Sequence, residues 1–152
     1  VLITDIVPFK LELAKKLGAD YIVNASRENL IEVVKDITAG EGADYVIEAV
    51  GSPKTIAQTV DLARSGGTIM IIGFTGRDAD EINLSKLTLQ QMTLLGILGF
   101  CHDYPTSLWL LATKKVDAKS LITHRFTLEE TEKAINVARE GKDNIIKAVV
   151  IP

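Results

Sequence analysis

Short β-branched runs alternate along this chain with amphipathic helical stretches, and that alternation is the pattern of strand–helix–strand crossover units. Val1–Thr4, Tyr21–Val23, Tyr45–Ile47, Thr68–Ile72, Leu94–Leu98 and Ile145–Ile151 read as strands. Several are apolar at successive positions, as strands covered on both faces are. Between them, Phe9, Leu13 and Leu17 form one stripe of a helix over Pro8 to Leu17, stopped by Gly18. Ser26 is the expected cap of a helix to about Thr38, with Leu30, Val33, Val34 and Ile37 inward and Gly40 as its stop. Ser52-Pro53 starts a third helix ending before Gly66-Gly67, and Pro105 starts a fourth over Leu108 to Lys114. Thr127-Leu128-Glu129-Glu130 fits a capping box, with Ala134, Ile135 and Ala138 inward and Gly141 as the stop. Parallel neighbours need helical crossovers, so the expected fold is α/β, a doubly wound and mostly parallel sheet.

With 152 residues, 47% hydrophobic and 24% charged, one substantial core and one domain are expected. A net charge of -3 with dispersed lysines and arginines carries no electrostatic footprint for nucleic acid. No run reaches the length a membrane helix needs. Cys101 is the only cysteine, so no internal disulfide forms and a cytoplasmic location is expected. Entry straight into a strand without Met leads us to expect a physical protein longer than these residues.

The strand Val1–Thr4 ends in Asp5, and a carboxylate at the carboxyl end of a parallel strand faces the crevice where doubly wound folds bind ligands. There it can accept from both hydroxyls of an adenosine ribose. A glycine-rich phosphate turn belongs about 20 residues upstream of such an acid. Only four residues precede Asp5, and none of the 11 glycines falls into a G-x-G-x-x-G pattern. The competing reading makes Asp5 a helix cap for the segment beginning near Pro8. Lys10, one turn on, could reach the same ribose; by itself it reads as a solvated lysine. Gly51, Gly73 and Gly99 each follow an apolar strand, where the lack of a Cβ lets backbone approach a flat ligand; singly, each is ordinary turn chemistry. Cys101-His102 and His124 do not assemble three or four metal ligands, and no nucleophile or carboxylate pair has a catalytic context.

Thr4-Asp5, "AKKLGAD" at 14–20, "IEAVG" at 47–51, Gly66-Gly67-Thr68, Ile71-Ile72-Gly73 and "LITHRF" at 121–126 resemble the zinc-containing alcohol dehydrogenases of the medium-chain dehydrogenase/reductase superfamily. The likeness spans essentially the whole chain and is nearer the alcohol, polyol and threonine dehydrogenases than the zinc-free quinone reductases. It implies one incomplete NAD-binding Rossmann domain over residues 1–152, including a C-terminal return segment and lacking the first strand and glycine-rich turn. It implies NAD as cofactor, with Asp5 holding the adenosine ribose, Lys10 assisting and Lys147 near the pyrophosphate. Val50, Gly51 and Ser52 would border the adenine side, and Ile72, Gly73, Phe74, Ile97 and Leu98 the nicotinamide. It implies catalytic residues and zinc only in a catalytic domain outside these residues, and an alcohol as substrate. It further implies a homodimer or homotetramer formed through the Leu94–Leu98 edge strand. The absent first strand is the central one in the usual order, so the strands at Leu2 and Val46 should lack their common neighbour. Two alternatives stay open: a catalytically silent nucleotide-binding or dimerisation module, and a zinc-free reductase relative using NADP.

Overall fold

The computed structural model describes residues 1–74, 76, 81–99, 102–141 and 143–152. Along the chain run β1 (Leu2–Asp5), α1 (Pro8–Lys16), β2 (Tyr21–Asn24), α2 (Leu30–Ile37), β3 (Ala43–Glu48), α3 (Pro53–Leu62), β4 (Ala63–Ile71), α4 (Leu84–Leu89), β5 (Thr93–Gly96), α5 (Asp103–Ala112), β6 (Ile122–Thr127), α6 (Thr131–Glu140) and β7 (Lys147–Ile151). All strand pairs are parallel. The α/β, Rossmann-like class is therefore the one the sequence predicts. The strands form three hydrogen-bonded sets: β1-β2, β3-β4-β5 and β6-β7. Among the described residues β1 and β3 each lie at the edge of their own set.

Two compact units are present: Val1–Asn24 with His102–Pro152, and Ala25–Cys101. In the second, Val60, Ala63, Ile69 and Met92 make the core, and Val46, Ile71, Ile82 and Leu87 pack on it from the sheet and α4 side. Ile69, at the middle of the central strand, is fully buried. In the first unit Val23 and Leu11 are buried between β2 and α1, while Phe126, Ala134 and Ile145 fill the space about β6 and α6.

The elements depart from the sequence reading in instructive ways. Asn29, not Ser26, caps α2, its Oδ1 accepting from Ile31 and Glu32. α5 begins at Asp103 rather than after Pro105, and β5 stops at Gly96, leaving Ile97 and Leu98 beyond the strand. β4 starts at Ala63, earlier than its apolar run, and β6 was not anticipated as a strand. The α1 stripe is not core: Leu11 is buried, Phe9 is exposed, and Leu13 and Leu17 border an open apolar hollow of about 420 Å³ with Val1, Ile3, Ala14 and Ile146. On α6 Ala134 is buried but Ile135 is exposed. The strands are not covered on both faces, since Tyr45 and Ile47 of β3 and Leu94 and Leu95 of β5 are exposed. The Ser52-Pro53 start and the Thr127–Glu130 capping box stand as read, the latter opening through a 3₁₀ turn. Cys101 lies outside the described residues.

Helix ends share one device. Ala19 N–H donates to Ala14 and Gly18 N–H to Lys15, the paired bonds that close α1. The same 6→1 bond closes α2 through Gly40 to Lys35, but the residue in the left-handed position there is Ala39, at φ 53°. A Cβ in that conformation costs about 1–2 kcal/mol. Ala39→Gly is therefore expected to raise stability by about 1 kcal/mol after allowing for the looser unfolded chain. Ile69→Ala is expected to lower it by about 2–5 kcal/mol. Urea melts of the two variants check both.

Candidate functional site

The predicted site residues fall into two groups, each inside one unit. In the first unit Asp5 ends β1, in register with Asn24 of β2. Two residues separate it from Pro8, which has no N–H and opens α1. Asp5 Oδ1 accepts from the amides of that turn, Ile6 at 2.7 Å and Val7 at 2.9 Å. The N-cap residue is Val7, so Asp5 holds the turn before the helix rather than capping the helix itself. With one oxygen so fixed, Oδ2 faces the Lys10 ammonium at 3.7 Å. The pair is partly exposed and contributes little as a salt bridge; its value is in orienting a carboxylate. Lys10 also borders an open hollow of about 350 Å³ whose other cation is Lys147, with Ala138, Gly141, Ile145 and Ile146 around them. Two lysines distant in sequence are thus brought to one cavity.

In the second unit the carboxyl ends of β3, β4 and β5 lie side by side in parallel register. The segments leaving them carry exposed Val50, Ile72, Phe74, Ile97 and Leu98. Ile97 N–H donates to Ile71 O at 2.9 Å, holding the exit of β5 against β4. Gly51 and Gly73 meet backbone to backbone. A Cβ on Gly73 would stand 2.2 Å from Gly51 N and 2.5 Å from Glu48 Oε2. One on Gly51, whose φ is +74°, would stand 2.8 Å from the backbone N and O of Phe74. Only glycine permits this approach. Gly99, the third glycine of the sequence reading, has nothing within 4 Å of a notional Cβ and makes no such contact.

The sequence reading assigned no role to Glu48. It is the last residue of β3 and 4% exposed. Its Oε1 accepts from Val50 N–H at 3.0 Å, Gly51 N–H at 3.0 Å and Thr55 Oγ1 at 2.7 Å, and Oε2 accepts from Gly51 N–H at 3.1 Å. Its backbone carbonyl accepts from Ile72 N–H at 2.8 Å and Gly73 N–H at 3.0 Å. Ser52 N–H donates to Thr55 Oγ1. The amides of residues 50–52 and of 72–73 are therefore all turned inward. The available signal was parity: Glu48 shares the inward side of β3 with Val46, and a carboxylate at a core position of a strand is uncommon.

The model of the family described as zinc-binding dehydrogenase matches residues 1–113. The chain belongs to the zinc-binding dehydrogenase family. It is 31% identical to sorbitol dehydrogenase of Bacillus subtilis strain 168 over 152 residues, all of this chain and 43% of that protein. It is also similar to alcohol dehydrogenase TADH from Thermus sp. ATN1, at 28% identity and TM-score 0.91, covering 99% of this chain and 43% of that one. A Sinorhizobium meliloti 1021 protein described as a zinc-binding dehydrogenase and solved bound to NADP matches at 26% identity and TM-score 0.90, over 100% of this chain and 45% of its own. This chain thus spans less than half the length of the relatives it matches.

The family name implies zinc, and these residues do not fit it: among the described residues no group of three or more His, Cys, Asp or Glu side chains could hold a metal ion. His124 is instead part of a packed set, its Nδ1 2.9 Å from Thr123 Oγ1 and its ring stacked on Phe126 at 6.2 Å. His102 takes a left-handed conformation at the start of α5. No helix among the described residues is long and apolar enough to cross a membrane.

The zinc-binding dehydrogenase rim predicts a sharp contrast between two glycines. Gly73→Ala is expected to cost about 3 kcal/mol, because backbone rather than a movable side chain blocks the methyl. Gly96→Ala, with nothing within 4 Å, is expected to stay within about 0.5 kcal/mol of the parent in urea melts.

Proposed function

We propose that this chain is the cofactor-binding portion of an NAD-dependent, zinc-type alcohol or polyol dehydrogenase, which moves a hydride between an alcohol and a nicotinamide. The observation that carries the reading is Asp5, whose Oδ1 is held by the Ile6 and Val7 amides while Oδ2 stays beside Lys10 at the carboxyl end of a parallel strand. A carboxylate fixed in that way accepts from both hydroxyls of an adenosine ribose and repels a 2′-phosphate, favouring NAD over NADP. In this reading Lys10 assists at the ribose and Lys147 serves the pyrophosphate, a pairing supported by their sharing one hollow.

Within the other unit, Val50, Gly51 and Ser52 border the adenine, and Ile72, Gly73 and Phe74, with Ile97 and Leu98, offer the nicotinamide an apolar surface. Their exposure at three adjacent strand ends supports that role. The cofactor supplies the hydride chemistry; these residues bind and orient it, and none is assigned a catalytic role. Residues 1–152 belong, in this reading, to one incomplete NAD-binding domain with its return segment. The zinc and the acid–base groups belong to a catalytic domain outside them. The polyol and alcohol classes are supported by the sorbitol dehydrogenase and TADH likenesses. A homodimer or homotetramer through Leu94–Leu98 is supported by β5, an edge strand among the described residues with Leu94, Leu95 and Leu98 exposed. The sequence-based expectation of a cytoplasmic enzyme stands with this proposal.

NADH titration followed by fluorescence tests the reading. Asp5→Ser is expected to raise the Kd for NADH about tenfold, the loss of charge-assisted bonds to the ribose, and to narrow the discrimination against NADPH. Unchanged preference for NADH overturns the cofactor assignment. Tight NADH binding by the protein without turnover of any alcohol favours the silent-module alternative instead.

A further inference from the structure

We propose that Glu48 is a positioning residue for the cofactor: a buried residue whose carboxylate fastens the loop after β3 and whose main-chain oxygen fastens the loop after β4, and which thereby sets dinucleotide affinity without touching the ligand. This rests on the dehydrogenase reading above. The side chain reaches the loop after β3 through Val50 and Gly51, and the first turn of α3 through Thr55. Its main-chain oxygen reaches the loop after β4 through Ile72 and Gly73. One residue is thus the common anchor of two segments far apart in sequence.

Chemistry explains why a carboxylate is used. Both oxygens and the peptide oxygen of Glu48 only accept, and all the groups turned toward them are donors. Gly51 N–H is shared between Oε1 and Oε2, so the carboxylate is locked about its long axis. Burial makes each lost partner costly, because no water replaces it. The close approach of Gly51 to Gly73 leaves no slack: if the loop after β3 drifts, the loop after β4 drifts with it. Val50, Ile72 and Phe74 ride on those two loops and are exposed, so a shift in Glu48 reaches the ligand surface directly.

The test uses the full-length protein with Glu48→Gln, Glu48→Ala and Thr55→Val, and with Ile69→Val as a core control that touches neither loop. Glu48→Ala is expected to raise the cofactor KM and the NADH Kd about tenfold while kcat stays within about twofold, because binding rather than chemistry is disturbed. Glu48→Gln, which keeps one oxygen acceptor, should recover part of the loss, and Thr55→Val, which removes one donor, should show a smaller rise in KM. Amide hydrogen exchange of the cofactor-free protein should show faster exchange at residues 50–51 and 72–73 together in both Glu48 variants. Ile69→Val should lower Tm with KM unchanged. If Glu48→Ala lowers Tm but leaves KM, Kd and the exchange at those four amides as in the parent, Glu48 is a core residue only and the inference is overturned; should that variant fail to fold, the same result in Glu48→Gln and Thr55→Val decides against it. A parent protein that binds no NADH overturns the dehydrogenase reading instead, while the exchange comparison still decides whether Glu48 fastens both loops.

Discussion

A carboxylate removed from water must have its acceptor capacity filled, and at Glu48 the donors that fill it are the amides of Val50 and Gly51, in the loop that leaves the strand, and the Thr55 hydroxyl. That requirement fixes more than a side chain. It dictates where the chain goes on leaving β3, since Val50 and Gly51 must turn back toward the strand end. It seats the first turn of α3 through Thr55, which also closes the capping box with Ser52. Independently of the side chain, the peptide oxygen of Glu48 accepts from Ile72 and Gly73, just past the end of β4. The glycines at 51 and 73 are then a necessity, because two main chains fastened to one residue come too near each other for a methyl group.

The first unit solves a similar problem with a different residue. Asp5 also spends an oxygen on two amides of the turn that follows its strand, but it remains partly exposed and keeps its second oxygen beside a lysine. Both strand ends therefore carry an acid that organises its own loop. Burial separates their roles: the covered acid is an anchor, and the open one is available to a ligand. The hollow shared by Lys10 and Lys147 adds positive charge from α1 and β7, elements that meet only through the tertiary fold.

Much of this was legible in the residues, and the limits follow from locality. Ser52-Pro53 and Thr127 with Glu130 mark helix starts because a cap bonds within three residues of itself. Ser26 and Asn29 are both good caps by residue type, and local pattern alone does not choose between them; in the structure Asn29 caps α2, with Leu30 buried directly after it. β4 begins at Ala63, ahead of arginine, serine and glycine with poor strand propensity, because Ala63 pairs with Ala43 of β3 before the register shifts to Thr68 opposite Tyr45. β6 escaped notice because Thr123, His124 and Arg125 interrupt its apolar pattern and its strand character comes from pairing with β7. The α1 stripe misled because Phe9 and Leu17 stay exposed and the buried residue of α1, Leu11, lies off it. Asp5 could be picked out because a lone acid at a strand end is conspicuous. Glu48 shows in sequence only as an acid at an inward position of β3; its main-chain partners Ile72 and Gly73 come from the next crossover and leave no mark near it.

If the dehydrogenase reading holds, the inward-turned amides at 50–52 and 72–73 constrain how a nucleotide enters. A phosphate group seeks unspent N–H dipoles, and these two turns have already committed theirs. What they offer an arriving molecule is hydrocarbon from exposed Val50, Ile72 and Phe74, a surface suited to the face of an aromatic ring. Under the proposed dehydrogenase reading, these two turns meet the rings of the cofactor and leave its charges to other elements.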